Sequence, residues 1–437
     1  MTARITPLDP WIRQKIACPD ALRRDRIESY QLQKVQETLA LVRSKSRFYQ
    51  NHLKYSPPTL SGLDGLAHLP FTTAEDLREH GGQFLCVSQD EIERVVTLDT
   101  SGTSGPPKRI YFTQADQELT IDFFQVGMST FTAPGDKVLI LLPCERAGSV
   151  GDLLATALGR MGAQPVKHGV VKDARLTAAW MRAQKVDGVV GVPVQVLTLA
   201  RLCPDLALKS VLLSTDHVPD AVVQTIQQTW GCQVYNHYGM TEMGLGGGVD
   251  CGERHGYHLR EADLYFEIVH PVTGAPVTPG ETGEVVFTTL TRRGMPLVRY
   301  RTGDLSRFIP GKCPCGTGLK TLAHVRTRRG GTVTLGEYGS VSMAGLDEAL
   351  FSLAGICDYQ ASLLHTPGQE RLRLLIKTIG DPPAQLGAEI EEALNTLAAI
   401  RFARQAHAMQ IQMEIQKLDP RLPAPVKRTL TEGSSYA

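Results

Sequence analysis

The sequence lacks a long apolar run and an excess of charge of either sign. Its longest plain apolar run, Val138 to Leu142, is far shorter than the roughly 20 residues that cross a bilayer. Lysine and arginine number 46 and aspartate and glutamate 45, so the formal net charge is +1. We therefore expect no membrane-spanning helix and no general binding to nucleic acid or membrane surfaces, because such binders usually carry a basic excess.

A secretory signal and a disulfide framework are also missing. The first residues, MTARITPLDPWIRQKIACPD, contain neither an apolar core segment nor a small-residue cleavage site, so we expect a cytoplasmic protein. Nine cysteines, an odd number scattered over 437 residues, favour reduced thiols. A chain of this length predicts two or three domains, and the hydrophobic fraction of 42% is typical of a globular protein.

Helical signals dominate the N-terminal part. Apolar residues from Leu32 to Val42 recur at spacings of three and four, which predicts a helix from about Arg24 to Ser44. Thr72 and Glu75 have the spacing of a capping box, which predicts that another helix starts at Asp76.

The remaining patterns define the fold class. Between residues 137 and 235, short β-branched runs alternate with helical runs, which predicts βαβ crossovers and a mostly parallel sheet. After Asp263 the pattern becomes strand, turn and strand, typical of an antiparallel subdomain. A basic, glycine-containing stretch from Arg326 to Gly331 suggests a boundary. We predict an α/β fold with a large N-terminal domain (1–326), built from these sheets, and a small C-terminal α+β lid domain (327–437).

The stretch from Thr100 to Lys108, called here the hydroxyl loop, is rich in hydroxyl groups and glycine. Such a stretch can bend tightly and offer N–H and O–H donors to an anion. It differs from a Walker A loop, because only two residues separate its glycines and an arginine follows its lysine. Taken alone, it suits a phosphate-binding loop or, more often, a polar surface turn. Its candidate binding residues are Thr100, Ser101, Gly102, Thr103, Ser104, Gly105 and Lys108.

Two later motifs carry groups suited to a nucleotide. In YNHYGMTEMG, Glu242 could ligate Mg²⁺, Thr241 could contact a phosphate oxygen and Tyr238 could offer its ring to a purine. A surface glutamate at a strand end explains that motif equally well. In YRTGDL, Asp304 could accept hydrogen bonds from two vicinal hydroxyls or occupy a type I turn. Arg301 is a candidate phosphate or interdomain contact.

A third group of residues could bind a metal. Cys251, His258, Cys313 and Cys315 have the residue types of a tetrahedral Cys₃His zinc site. The Cys-x-Cys spacing is tight and the two halves lie far apart in the chain, so spacing alone only suggests a metal. His255 is an alternative ligand, and the thiols could instead serve as small buried hydrophobes.

In their order, the hydroxyl loop and the two nucleotide motifs resemble the three signatures of the adenylate-forming enzymes, the superfamily of acyl-CoA and aryl-CoA ligases. The segments SRFYQNHL, LPFTTAEDLR and FTTLTRRGMPLVRYRTGDL resemble the phenylacetate-CoA ligase branch. The resemblance extends from Ser46 to Leu319 and, more loosely, to the end of the chain.

The resemblance implies roles for the candidate residues. The hydroxyl loop would bind the β- and γ-phosphates of ATP, Tyr238 would pack on adenine and Asp304 would bind the ribose hydroxyls. Thr241 and Glu242 would act in catalysis at the α-phosphate and at Mg²⁺, together with Lys427 as the C-terminal catalytic lysine. Some members of the branch carry cysteines and a Gly-x-His corresponding to the four metal candidates here, which implies a structural Zn²⁺.

The implied activity is that of an ATP-dependent acid-CoA ligase acting on an aryl or small carboxylic acid. The acid would form an acyl-adenylate with release of pyrophosphate, and CoA would then capture the acyl group with release of AMP. The lid would move between the two steps. The resemblance also suggests a homodimer.

This chain departs from its relatives at three places. The stretch from Arg326 to Gly331 lacks the acidic pair of their hinge, Ser214 to Asp216 replaces a glycine-rich segment, and Lys427 lies among prolines, where it could equally be a frayed surface charge. Two alternatives stay open: adenylation with transfer to a protein thiol or a cofactor hydroxyl, and a nucleotide-binding regulatory protein without turnover.

Overall fold

The computed structural model describes residues 4–98, 107–366, 369–421 and 424–434. Its α-helices are α1 (Leu8–Lys15), α2 (Arg24–Lys45), α3 (Arg47–His52), α4 (Ala74–His80), α5 (Gln114–Met128), α6 (Val150–Arg160), α7 (Ala174–Gln184), α8 (Pro193–Leu202), α9 (Asp220–Trp230), α10 (Met343–Phe351), α11 (Leu386–Asn395) and α12 (Ala398–Gln405). Among these described helices, none combines the length and the apolar character needed to span a bilayer.

The strands include several of only two or three residues. They are β1 (Ile92–Leu98), β2 (Lys108–Thr113), β3 (Lys137–Ile140), β4 (Gln164–Lys167), β5 (Gly188–Gly191), β6 (Ser210–Leu213), β7 (Gln233–Tyr238), β8 (Gly248–Asp250), β9 (Tyr257–Leu259), β10 (Leu264–Val269), β11 (Gly283–Thr289), β12 (Tyr300–Ser306), β13 (Thr321–Leu322), β14 (Thr327–Arg328), β15 (Thr332–Thr334), β16 (Ser340–Ser342), β17 (Ile356–Thr366), β18 (Gln369–Thr378), β19 (Met409–Lys417) and β20 (Thr431–Ser434).

The chain divides into two compact units, each assembled from separate segments. The first unit comprises Met1–Gly135, Cys144–Ala163 and Asn236–Val325. The second unit comprises Asp136–Pro143, Gln164–Tyr235 and Arg326–Ala437.

The first unit contains antiparallel sheets. Strands β10, β11 and β12 pair in that order, with Phe266 opposite Phe287 and Phe287 opposite Tyr300. These three side chains are buried in one apolar core, which favours this register because a slip by one residue would turn them away from that core. A second set of antiparallel pairs joins the end of β7 to β8, β9 and β13. The antiparallel subdomain predicted after Asp263 is confirmed.

The second unit contains the parallel sheet expected between residues 137 and 235. Strand β3 pairs in parallel with β4 and β5, and β5 pairs in parallel with β6. Strands β5 and β6 are fully buried, as expected when helices cover both faces of a sheet. The predicted α/β fold class is therefore confirmed. Strand β4 and helix α7 belong to the same alternation but were not predicted individually.

The C-terminal part of the second unit is an α+β arrangement. Strands β17 and β18 form an antiparallel hairpin, while β19 pairs in parallel with β18 and β20 with β17. The pattern from Ala384 to Leu397 predicts a helix, which α11 confirms, whereas the next helix, α12, was not predicted. Leu397 has an extended backbone, which ends one helix before the next begins.

The bounds of two N-terminal helices, α2 and α4, can be compared with those predicted from the sequence. Helix α2 runs to Lys45, one residue beyond its predicted end. The capping box of α4 is real, but its predicted register was wrong by one residue: Thr73 and Asp76 form it, not Thr72 and Glu75. The hydroxyl of Thr72 instead lies against the Val298 carbonyl, to which it donates at 2.7 Å.

Candidate active site

Glu242 is a buried carboxylate with two side-chain donors. It lies in the short 3₁₀ turn Thr241–Met243 that follows β7, and its side chain is 2% exposed. The Lys108 ammonium forms an ion pair with Oε1, and the Tyr300 hydroxyl donates to the same oxygen at 3.0 Å. Burial raises the pKa of Glu242, but the charge and hydrogen bond of Lys108 outweigh it, so the pKa lies below its usual value.

The main chain of Glu242 is held by a residue that sequence reasoning missed. Arg292 donates from Nη1 to the Glu242 carbonyl at 2.7 Å and from Nη2 to the Tyr111 carbonyl at 3.3 Å. Its guanidinium lies 4.4 Å from the centre of the Phe112 ring, and burial lowers its pKa. Arg292 therefore ties β2 to the Glu242 turn. The segment TRRGMPL contributes to the resemblance, but nothing in its pattern distinguishes Arg292 from the neighbouring Arg293.

A glycine makes the Glu242 turn possible. A β-carbon on Gly239 would collide with the carbonyl oxygen of Leu245, so the chain can fold back here only without a side chain. Gly244 then has φ +74°, in the left-handed region. Thr241 begins the turn and is half-buried, two residues after the glycine.

Tyr238 and Asp304 are brought together from strands far apart in the chain. The Tyr238 hydroxyl donates to Asp304 Oδ2 at 2.9 Å. One face of the Tyr238 ring stacks on Tyr257, with centroids 5.5 Å apart. Burial and the neighbouring Asp304 charge raise the pKa of Tyr238 well above its usual value. Asp304 lies within β12, so the type I turn considered for it is wrong.

The hydroxyl loop lies almost entirely outside the described residues. Thr100, Ser101, Gly102, Thr103, Ser104 and Gly105 all fall in that gap, and their role stays a prediction. The two strands on either side of the gap are antiparallel, with Leu98 directly opposite Lys108. Lys108 thus begins β2 and, as described above, contacts Glu242.

Arg301 is engaged within the first unit. Its guanidinium forms an ion pair with Glu284, donates to the Pro271 carbonyl at 2.5 Å and lies 5.0 Å from the Phe71 ring centre. These contacts give it a structural partner. A phosphate contact by Arg301 stays a prediction.

Aromatic side chains lie around the glycine run that follows Glu242. A β-carbon on Gly246 would collide with the Phe123 ring and would lie 3.4 Å from Nε2 of His237. The His237 ring is 6.3 Å from Phe123 and 5.9 Å from Phe124, between ring centroids. Burial lowers the pKa of His237 to about 4, so its imidazole is neutral near pH 7.

The four metal-candidate residues converge. One ligand atom from each of Cys251, His258, Cys313 and Cys315 lies within 4.8 Å of the others, and all four residues are buried. The Sγ atoms of Cys251 and Cys313 are 3.7 Å apart, and Cys315 Sγ is 3.4 Å from His258 Nε2. A tetrahedral zinc with Zn–S bonds of about 2.3 Å places its sulfurs about 3.8 Å apart, so the donor set fits.

His255, the alternative ligand, is exposed and does not belong to that cluster. His258 is placed on β9, opposite Thr321 of β13. All nine cysteines are free of disulfide bonds, as their number and scatter predicted.

Lys427 belongs to the second unit, where the next residue, Arg428, makes buried contacts. Lys427 itself is exposed. The Arg428 side chain is 3% exposed, forms an ion pair with Asp347 and donates to the Tyr359 carbonyl at 3.1 Å. The Arg428 main-chain N–H donates to Asp216 at 3.2 Å. Burial, with the nearby charge of Asp347, raises the pKa of Asp216 to about 6.

Comparisons with known proteins extend these observations. A family model described as "AMP-binding enzyme" matches residues 65–290, just over half of the 437 residues. The phenylacetate-coenzyme A ligase of Thermus thermophilus is 30% identical over 320 residues, covering 68% of this chain and 69% of that protein. The corresponding ligase of Pseudomonas putida is 31% identical over 326 residues, covering 70% of each.

The fold is also found among solved structures. A 2-hydroxyisobutyryl-CoA ligase in the postadenylation state, in complex with R3-HIB-AMP, has a TM-score of 0.80 and 18% identity, covering 95% of this chain and 91% of that chain. A benzoate CoA ligase from Burkholderia xenovorans has a TM-score of 0.52 and 16% identity, covering 79% of this chain and 68% of that chain. At these identities the likeness concerns the fold. From the family match and the relatives together, the chain belongs to the family of AMP-binding enzymes.

Proposed function

We propose that this protein is an ATP-dependent acid-CoA ligase, which forms an acyl-adenylate and then a CoA thioester while releasing pyrophosphate and AMP. The observation that carries the proposal is the convergence of Glu242, Lys108 and Tyr300 in the same unit as the Tyr238–Asp304 pair, in a member of the AMP-binding family. The phenylacetate-CoA ligases among its relatives support CoA as the acceptor.

The nucleotide would be held by the residues already named. Tyr238 would pack against adenine, and Asp304 would accept hydrogen bonds from the ribose hydroxyls, in addition to or in place of the Tyr238 hydroxyl. The part of the hydroxyl loop from Thr100 to Gly105 would hold the β- and γ-phosphates through its N–H and O–H groups. We assign Arg301 a supporting role near the phosphates.

Glu242 fits Mg²⁺ because it offers a hard carboxylate oxygen on a rigid turn. The bound ion would neutralise phosphate charge. The protein supplies position: Arg292 fixes the Glu242 main chain and Tyr300 its side chain. Thr241, at the start of the same turn, would donate to an α-phosphate oxygen.

The chemistry then requires placement and charge rather than a protein nucleophile. An oxygen of the substrate carboxylate bonds to the α-phosphorus while the bond to pyrophosphate breaks. In the second step the CoA sulfur bonds to the acyl carbon and AMP leaves. Lys427 would contact the α-phosphate and the attacking carboxylate in the first step.

We assign the nucleotide and acid to a domain of residues 1–326 and a mobile lid to residues 327–437. Support comes from the α+β character of the C-terminal segment. Motion of the whole lid would break three hydrogen bonds within the second unit: Thr198 to the Cys357 carbonyl (3.1 Å), Arg201 to the Phe351 carbonyl (3.0 Å) and the Asp220 N–H to Glu348 (2.7 Å). A disulfide engineered across these contacts should slow thioester formation more than adenylation.

The acid would bind near the glycine run from Gly244 to Gly248. Phe123 and a neutral His237 lie against Gly246, and Phe124 packs on His237, which favours an aryl or small acid over a long-chain one. A structural Zn²⁺ would occupy the cluster formed by Cys251, His258, Cys313 and Cys315, with no position open for substrate. We also infer a cytoplasmic homodimer, which sedimentation velocity and cell fractionation would test.

The proposed function is tested by incubating the protein with ATP, Mg²⁺, CoA and a panel of aryl and short aliphatic acids, and detecting thioesters by mass spectrometry. We expect a thioester with at least one acid, together with stoichiometric AMP. Adenylate formation without thioester would favour a protein thiol or cofactor hydroxyl as acceptor. Tight MgATP binding with no adenylate from any acid would favour a regulatory protein instead.

A further inference from the structure

We infer that the Lys108 ammonium occupies the Mg²⁺ position at the Glu242 carboxylate when no nucleotide is bound. Mg²⁺ and the ammonium would then replace each other at this carboxylate. The inference rests on the proposed function for the identity of the incoming ion and adds a role for Lys108. It concerns the described residues Lys108, Glu242, Tyr300 and Arg292, all of which belong to the first unit.

The first step concerns charge. The Glu242 side chain is 2% exposed, and burying an ionised carboxylate without a compensating cation is strongly unfavourable. Lys108 is the cation bound to this carboxylate and is itself only 15% exposed. The Lys108 ammonium therefore supplies the compensating positive charge directly at the carboxylate, in the position that a metal ion would otherwise compete for.

The second step concerns the difference between the groups that hold Glu242. Arg292 contacts its main-chain carbonyl, and Tyr300 contributes a neutral hydroxyl. Both can stay in place when a divalent ion approaches the carboxylate. The Lys108 ammonium is opposed by that ion, because two cations held at the same carboxylate repel each other. Of the three contacts, that of Lys108 is therefore the one that metal binding weakens.

The third step concerns where Lys108 can go. It is the first residue of β2 and has the flexible four-carbon side chain of lysine, whose ammonium acts as a mobile point charge. A phosphate oxygen of ATP is a stronger anionic partner than an already metal-bound carboxylate. The exchange thus leaves every charge paired: Glu242 with the divalent ion, and Lys108 with phosphate. Such an exchange would couple metal binding to nucleotide binding.

The inference predicts opposite effects of Lys108 on two ligands. We would measure Mn²⁺ binding without nucleotide by electron paramagnetic resonance, and MgATP binding by calorimetry. In Lys108→Met, Mn²⁺ alone should bind at least about tenfold more tightly than in the wild type, because its competitor is gone, whereas MgATP should bind more weakly. Lys108→Arg should keep weak Mn²⁺ binding. Lys54→Met, which removes an exposed lysine of the same unit, should match the wild type.

Two further readouts keep the test decisive. The double variant Lys108→Met, Glu242→Gln should lose the gained Mn²⁺ affinity, which assigns that ion to Glu242 and not to the cysteine cluster. The melting temperature of Lys108→Met should fall without metal and recover with Mn²⁺ more than that of the wild type does. Unchanged or weaker Mn²⁺ binding by folded Lys108→Met would overturn the inference. Because these measurements need no acid or CoA, they are independent of failure to detect a ligase product.

Discussion

The hydroxyl of Tyr238 donates a 2.9 Å hydrogen bond to Asp304, which joins the aromatic ring assigned to adenine and the carboxylate assigned to ribose. Tyr238 ends β7 and Asp304 lies in β12. The bond orients the carboxylate before any nucleotide is present. The tyrosine would thus contribute to nucleotide binding in two ways, through its ring and through its hydroxyl. Substitutions at position 238 can test the two contributions one at a time.

Tyr238→Phe should raise KM for ATP by no more than about threefold, because the ring and its stacking on Tyr257 remain. Tyr238→Ala removes the ring and should raise KM by about tenfold or more, equivalent to about 1.4 kcal/mol. Asp304→Asn should also raise KM, since an amide replaces one acceptor oxygen with donors. Steady-state kinetics with varied ATP would measure all three. Equal effects of Phe and Ala at position 238 would contradict the assignment of the ring to adenine.

Lys427 is tested against a lysine of the same unit. Lys427→Ala should lower the adenylation rate by about 100-fold while leaving capture of a supplied acyl-adenylate by CoA nearly unchanged, because its cation is needed only in the first step. Lys417→Ala removes an exposed lysine that pairs with Asp381 and should leave both rates unchanged. Normal adenylation by Lys427→Ala, followed in single-turnover experiments, would show that another residue supplies this charge.

Asp216 should make stability depend on pH. Its pKa in the folded protein is about 6, above the ordinary value of 3.8, so the folded state binds the proton more tightly than the unfolded state. The associated stabilisation is present below pH 3.8 and is lost as the pH rises through 6. Asp216→Asn should therefore gain in melting temperature relative to the wild type, by a few degrees, between pH 4 and pH 7. A difference in melting temperature that is constant over this range would contradict the shift.

The cysteine cluster is tested by metal content. The wild type should contain about one equivalent of zinc by mass spectrometry, and Cys313→Ser with Cys315→Ser should lose it and melt at a lower temperature. Cys144→Ser, outside the cluster, should retain the metal. One equivalent of zinc in the double variant would rule out this site, and a wild type purified without chelators and free of zinc would do the same.

Local pattern and residue chemistry were enough for much of the fold and for the approximate site. Helix α2 and the alternation between residues 137 and 235 follow from the sequence pattern, whereas the grouping of the four metal candidates was implied by the resemblance and not by their spacing. The register of the α4 cap did not, because Thr72 and Thr73 are both good caps and only a distant partner, the Val298 carbonyl, decides between them.

The residues that hold Glu242 in place could not be predicted from the sequence either. Arg292, Tyr300 and Lys108 meet Glu242 through sheet register and long-range packing, which leave no periodic signal near each residue. Arg428, next to the predicted catalytic lysine, is buried among acidic and aromatic groups that come from distant positions, including Asp347 and Tyr359. Such contacts are set by the completed fold.

The most direct test of the central claim is acid-dependent exchange of radiolabelled pyrophosphate into ATP, which reports adenylation without CoA. The wild type should exchange label only when a suitable acid is present, and Glu242→Gln should reduce the exchange by about 100-fold while remaining folded by circular dichroism. No acid-dependent exchange by the wild type, or undiminished exchange by folded Glu242→Gln, would contradict adenylation at Glu242.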